Sequence, residues 1–213
     1  MKTRFLLALC ATLLALVWVA QADTITIENP DFSSPGCAAP GPSVCGPPTD
    51  WTVSGSAGNF LPAPTDTQAF AGAQYAYANE GGSLTQDLLT ALLANTTYTF
   101  TVWELWRNGA SFTGAVELVA GGTDVLADAT GTPFQGSWEQ FTLTYTSPGS
   151  GSPIGEDLSV VLTSTGIQGD FDALSDITTT TVPEPSTMVL LGTGLLALRV
   201  ARRRRAYPLV TSI

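Results

Sequence analysis

The chain has 213 residues, with 18 acids, 8 bases and no histidine, for a formal net charge of −10. Seven of the bases lie near the two ends, so the body from Asp23 to Val182 holds 17 acids against the single base Arg107, about −16. Such a body excludes nucleic acid and anionic lipid surfaces as partners, because phosphate binding needs many Lys and Arg side chains.

The first stretch, Met1 to Ala22, opens with Lys2 and Arg4. An apolar run from Phe5 to Ala20 follows, and then Ala20-Gln21-Ala22. A basic start, an apolar helix and an A-x-A site predict a signal peptide cleaved after Ala22. Export places Cys37 and Cys45 in an oxidising compartment, within the loop "SSPGCAAPGPSVCGPP". They are expected to form a disulfide, which in so short a loop contributes roughly 2–3 kcal/mol.

The body from 23 to 180 reads as short alternating segments broken by Gly, Pro, Asn and Asp. Strands are expected over 24–27, 51–55, 74–79, 83–89, 97–106, 114–120, 123–128, 138–146, 157–164 and 171–179. They are rich in Thr, Val, Tyr and Trp, which favours strands. Such a series predicts an all-β antiparallel sandwich or jelly roll, flanked by a signal helix and a C-terminal transmembrane-like helix. "DLLTALLAN" (87–95) leaves one or two helical turns open.

Strand phasing assigns the core. Tyr98, Phe100 and Val102 share one face, as do Phe141, Leu143 and Tyr145, and again Leu158, Val160 and Leu162. Past Val102 the pattern changes: Trp103 and Leu105 take the threonine face and Glu104 takes the core face. Either a bulge intervenes there or both faces of that strand end are occupied. Residues 147–157 read as a loop and 176–185 as an extended linker.

The body has no lysine and no histidine, which removes Ser-His-Asp, Cys-His, Schiff-base and His-zinc chemistry. Among 17 acids a carboxylate pair has no specificity, so the expectation is a binding protein and not an enzyme. Trp103, Trp106, Arg107 and Asn108 gather aromatic faces and hydrogen-bonding groups near a strand end, a candidate glycan site. The alternative is that the two tryptophans complete the core and Arg107 pairs with an acid. Glu28, Asp31, Asp170 and Asp172 are candidate calcium ligands if the first and last strands are neighbours; otherwise they are solvated acids.

The tail, residues 181–213, has three parts: Val182-Pro183-Glu184-Pro185-Ser186-Thr187, an apolar segment over 188–198, and an arginine-rich segment over 199–205 ending in Arg202, Arg203, Arg204 and Arg205. In that order they resemble the PEP-CTERM sorting signal of Gram-negative bacteria. The resemblance implies export, transient retention in the inner membrane, processing by an exosortase at the Pro-Glu-Pro, and a cell-surface or extracellular destination among exopolysaccharide and biofilm. The prolines keep the cut site extended and the arginines hold the C-terminus on the cytoplasmic side.

The body also resembles the galactose-binding-like jelly rolls, through Asn29-Pro30-Asp31-Phe32, "DWTVSG" (50–55), "GGSLTQDL" leading into "TYTFTVWE" (81–104), "WEQFTLTYT" (138–146) and "FDALSDI" (171–177). That resemblance implies glycan binding in many members and often a structural calcium. The expected function is thus adhesive or glycan-binding. The alternatives are a structural matrix protein without a ligand site and a carboxylate-based glycan-active enzyme.

Overall fold

The structure, a computed structural model, describes residues 22–129, 131–182, 191–196, 198, 199 and 202. Ala20, residues 183–187 and Arg203 to Arg205, expected to carry signal cleavage, sorting and membrane stop, lie outside the described residues. The body forms a compact unit of its own, Gln21–Thr181.

Eleven strands are described: β1 (Ala22–Ile25), β2 (Ser43–Cys45), β3 (Thr52–Leu61), β4 (Tyr75–Ala91), β5 (Thr96–Leu105), β6 (Gly114–Ala120), β7 (Asp124–Ala129), β8 (Trp138–Thr146), β9 (Asp157–Ser164), β10 (Gly169–Asp172) and β11 (Ile177–Thr181). The path of hydrogen-bonded neighbours runs β1-β11-β5-β10-β4-β9-β6-β7, with β8 on β5, β3 on β4 and β2 on β3. The pairs are antiparallel, as the alternating sequence predicts.

Strand β4 turns this path into two layers. Its first part, Ala76 to Ala78, pairs with β10, and its second part, Ser83 to Asp87, pairs with β9. Between them Glu80 and Gly81 adopt φ of 47° and 82°. At Gly82 a Cβ would stand 2.5 Å from the Ser56 carbonyl oxygen, so only glycine fits the crossing. Opposite, β3 shifts register between Ser54 and Ser56. The front sheet holds β8, β5, β10 and the first part of β4; the back sheet holds the second part of β4 with β9, β6 and β7. Leu84, Phe100, Val102, Leu118, Val160 and Leu162 fill the space between them, each almost wholly buried.

The phasing problem in β5 resolves without a bulge. Thr97 to Leu105 pair with Thr146 to Trp138 in unbroken register. Both faces of the strand end are therefore occupied: Glu104 lies inward, and Trp103 and Leu105 lie on the outer face of the front sheet. "DLLTALL" continues as strand to Ala91 instead of forming helical turns, with Leu88 and Leu92 buried. In the tail, 191–196 are helical. No helix among the described residues is long and apolar enough to cross a membrane.

Candidate active site

Strand β10 places two acids on one side of the front sheet. Phe171 joins the core between the layers, so its neighbours Asp170 and Asp172 point to the outer face, about 7 Å apart along the strand. Asp170 stands between Leu105 of β5 and Tyr77 of β4, and Asp172 stands beside Trp103. A second apolar cluster surrounds them: Phe60, Tyr75 and Leu105, with Ala69, Tyr77 and Trp138 packed against it. The Tyr75 ring meets Trp138 edge-on at 5.3 Å and tilts against Phe60 at 5.4 Å. The Arg107 guanidinium lies over Phe60, 4.8 Å from the ring centre.

Burial sets the electrostatics. Asp170 is fully buried; its Oδ1 accepts a bond from Gln168 Nε2 at 2.8 Å, and its Oδ2 has no partner among the described residues. Desolvation pushes its pKa up to about 7, against the opposing pull of Gln168 and Arg107. Asp172 is equally buried, and its oxygens accept the Ala71 N–H at 2.9 Å and the Ala173 N–H at 2.8 Å. Desolvation raises it to about 7 as well. Glu104, on the inward face, has both oxygens buried without partners among the described residues and is pushed to about 8 by desolvation. Burial and the Asp170 charge raise the Tyr75 phenol. The protein thus holds three carboxyl groups that keep protons near neutral pH, one of them with a free oxygen inside an aromatic wall.

The connection 62–74 lies across this face. Phe70 stacks on Trp103 at 3.7 Å with 16° between the ring planes. Trp138 Nε1 donates to the Gln68 carbonyl at 2.7 Å, and Thr67 Oγ1 donates to the Gly136 carbonyl at 3.3 Å.

Of the expected glycan residues, Trp103 and Arg107 reach this face. Trp106 instead braces its own turn, its Nε1 donating to the Ala110 carbonyl, and Asn108 is exposed. Arg107 rests on a ring, and its charge also pulls on the Asp170 carboxyl. Cys37 and Cys45 form the expected disulfide, with Cα atoms 5.7 Å apart.

Of the candidate calcium ligands, Asp31 lies close enough to Asp172 for its charge to raise that carboxyl. The first and last strands do pair, Ala22 opposite Thr180, but Asp170 and Asp172 belong to β10 and are neither at that edge nor solvated. Asp31 Oδ1 accepts the Ser33 hydroxyl, and Glu28 lines a different groove of about 550 Å³ with Asp23, Asp50 and Asp87. Among the described residues no three acid, Cys or His side chains converge on a point where a metal ion fits.

The packing of Phe60 against Tyr75 and the burial of Asp170 were not legible in the sequence. The face change at Trp103 and Leu105 was their one trace: it marked a stretch of sheet with apolar groups on both sides.

Comparison with known proteins bears on this site. The family model HpiC1-like, described as HpiC1 cyclase, matches residues 23–175, and the PEP-CTERM protein-sorting motif matches residues 181–205. A cyclase from Fischerella sp. TAU is 21% identical, with a TM-score of 0.63 over 77% of this chain and 100% of that one. The Stig cyclase Fisc from Fischerella sp. TAU, solved with (3Z)-3-(1-methyl-2-pyrrolidinylidene)-3H-indole, is 22% identical, with a TM-score of 0.64 over 76% of this chain and 100% of that one. The CBM22-1 xylan-binding domain of Paenibacillus barcinonensis Xyn10C is 16% identical, with a TM-score of 0.48 over 78% and 100% of the two chains. No curated relative matches by sequence.

The sorting match implies export, transient membrane anchoring and exosortase processing. The expectation that the body is not an enzyme is overturned, because most of its length matches a family defined by a cyclase. That expectation treated the acids as solvated and interchangeable. Burial makes Asp170 and Asp172, together with Glu104, unlike the remaining acids, and a protonated carboxyl does acid chemistry without histidine or lysine.

Proposed function

This chain belongs to the HpiC1-like cyclase family, and on that premise we propose that its body is an exported acid catalyst that cyclises or rearranges an apolar, unsaturated substrate on the outer face of the front sheet. The observation that carries the reading is Asp170: buried, protonated near neutral pH, with Oδ2 unpartnered beside an aromatic wall. Its O–H is placed to give a proton to a π-bond or heteroatom of the substrate. Tyr75, Trp103 and Trp138 present ring faces and edges to the cation that develops, and their apolar surroundings keep water away from it. The Asp170 carboxylate then takes a proton back, so the product is an isomer of the substrate and nothing is consumed. Gln168 fixes the carboxyl through Oδ1 and leaves Oδ2 to react.

The test is turnover of alkenyl-substituted aromatic substrates by the full-length protein, followed by mass-neutral product separation. The expected outcome is isomer formation that falls about 100-fold or more in Asp170→Asn. Undiminished turnover in that variant sinks the assignment.

Glycan binding is the second reading, favoured by Trp103 and Trp138, both half-buried on the same face, with Gln140 directly opposite Trp103 in cross-strand register. Such a site suits an exported protein in an exopolysaccharide matrix. A glycan array probed with the full-length protein tests it, and no retention of any neutral or acidic glycan removes it.

A further inference from the structure

The connection 62–74 lies across the outer face of the front sheet, and its Phe70 ring covers one face of Trp103. We propose that the connection 62–74 is a lid, that Phe70 is a specificity-determining residue which occupies the ring-binding place over Trp103 until a ligand displaces it, and that Asp172 is the latch. The substrate role of this place rests on the acid-catalyst reading; the lid itself does not.

Four observations converge. Residues 62–74 join β3 to β4 with no strand of their own. The ties that hold this segment over the face are the Phe70–Trp103 stack, the Ala71 N–H to Asp172 Oδ2, the Gln68 carbonyl to Trp138 and the Thr67 hydroxyl to Gly136, while Gln74, beyond Gly72, stays anchored to Phe32, Pro35 and Cys37. Phe70 is 46% exposed, so its ring rests on Trp103 with the other side open, as a bound flat molecule would. The segment also braces itself, with the Asp66 N–H on the Ala63 carbonyl and Gln68 Nε2 on the carbonyls of Ala63 and Asp66. It can therefore leave as one piece, turning at Gly72, whose φ of 66° suits glycine.

Asp172 acts through the lid. Its carboxyl accepts the Ala71 and Ala173 amides, so both oxygens are engaged when the lid is shut, while Asp170 keeps Oδ2 free. Closure thus separates the two acids by role: one holds the lid, the other keeps a buried oxygen without a partner among the described residues.

A ligand that must displace Phe70 binds with an affinity reduced by the fraction of open protein. The experiment is a calorimetric titration of the full-length protein with indole as a flat-ring probe, beside hydrogen exchange at the Ala71 amide. Phe70→Ala is expected to bind indole about five- to tenfold more tightly than the wild type. Phe70→Leu, which keeps bulk without a flat ring, is expected to shift in the same direction and serves if the alanine variant does not fold. In the wild type, indole is expected to release the Ala71 amide to exchange. Equal or weaker binding in the folded variants overturns the proposal, as does an Ala71 amide that stays protected at saturating indole, or no indole binding by any form. Asp170→Asn turnover reports on the acid reading alone, so the two fail separately.

Discussion

Glu104, Asp170 and Asp172 make the stability of the body depend on pH in a direction opposite to that of ordinary paired carboxylates. Their pKa values, near 8, 7 and 7, lie above those of the unfolded chain. The folded protein therefore holds protons that the unfolded chain has lost between about pH 4.5 and 7. Their contribution is fully present below the unfolded value and is lost as pH rises through the folded one. We expect the melting temperature to fall from pH 5 to pH 8. In Glu104→Gln the slope should flatten by up to about 1.4 kcal/mol per pH unit, with a gain in stability at pH 8. An unchanged slope in that variant refutes the assignment. At this scale the sequence was least informative. "GDFD" was visible as two acids two residues apart, but their chemistry comes from desolvation, and desolvation depends on what β4, β5 and the 62–74 connection lay over them.

Strands are where the sequence was most legible. Segments 114–120, 138–146 and 157–164 are strands over the expected residues, because one face of each is apolar and turn residues flank them. Where the expectation slipped, the chain does something that alternation cannot express. The candidates 74–79 and 83–89 are one strand that passes between layers, and 171–179 is two strands, with Ala173 at φ 47° between them. Strand β2 was missed because three residues in a Pro- and Gly-rich loop carry no pattern. The crossing in β4 yields a prediction. In Gly82→Ala the added Cβ meets the Ser56 carbonyl oxygen and the Asn79 carbonyl oxygen within 3 Å, and backbone cannot give way cheaply. A loss of about 1–3 kcal/mol in urea unfolding is expected. Gly81→Ala meets no atom there and is penalised only by its φ of 82°. Equal costs in the two variants, or none at Gly82, tell against the packing account.

At the scale of the molecule, sorting and folding are carried by separate stretches: the sorting motif matches 181–205, and the body is a compact unit ending at Thr181. Glu184→Gln is therefore expected to block C-terminal processing, seen as retained precursor on a gel, while the urea midpoint of the body stays unchanged. A shifted midpoint contradicts this division. The pairing of β1 with β11 has a mechanical consequence. Antiparallel register sets Ala22 opposite Thr180, so the chain enters and leaves the body side by side. A tether on either end pulls at the same corner of the sheet. That corner lies along β5 from the acids: β11 joins β5 over Thr96–Thr99, and β10 joins it over Trp103–Leu105. Cutting the tail beyond Thr181 is therefore expected to leave the geometry around Asp170 unchanged.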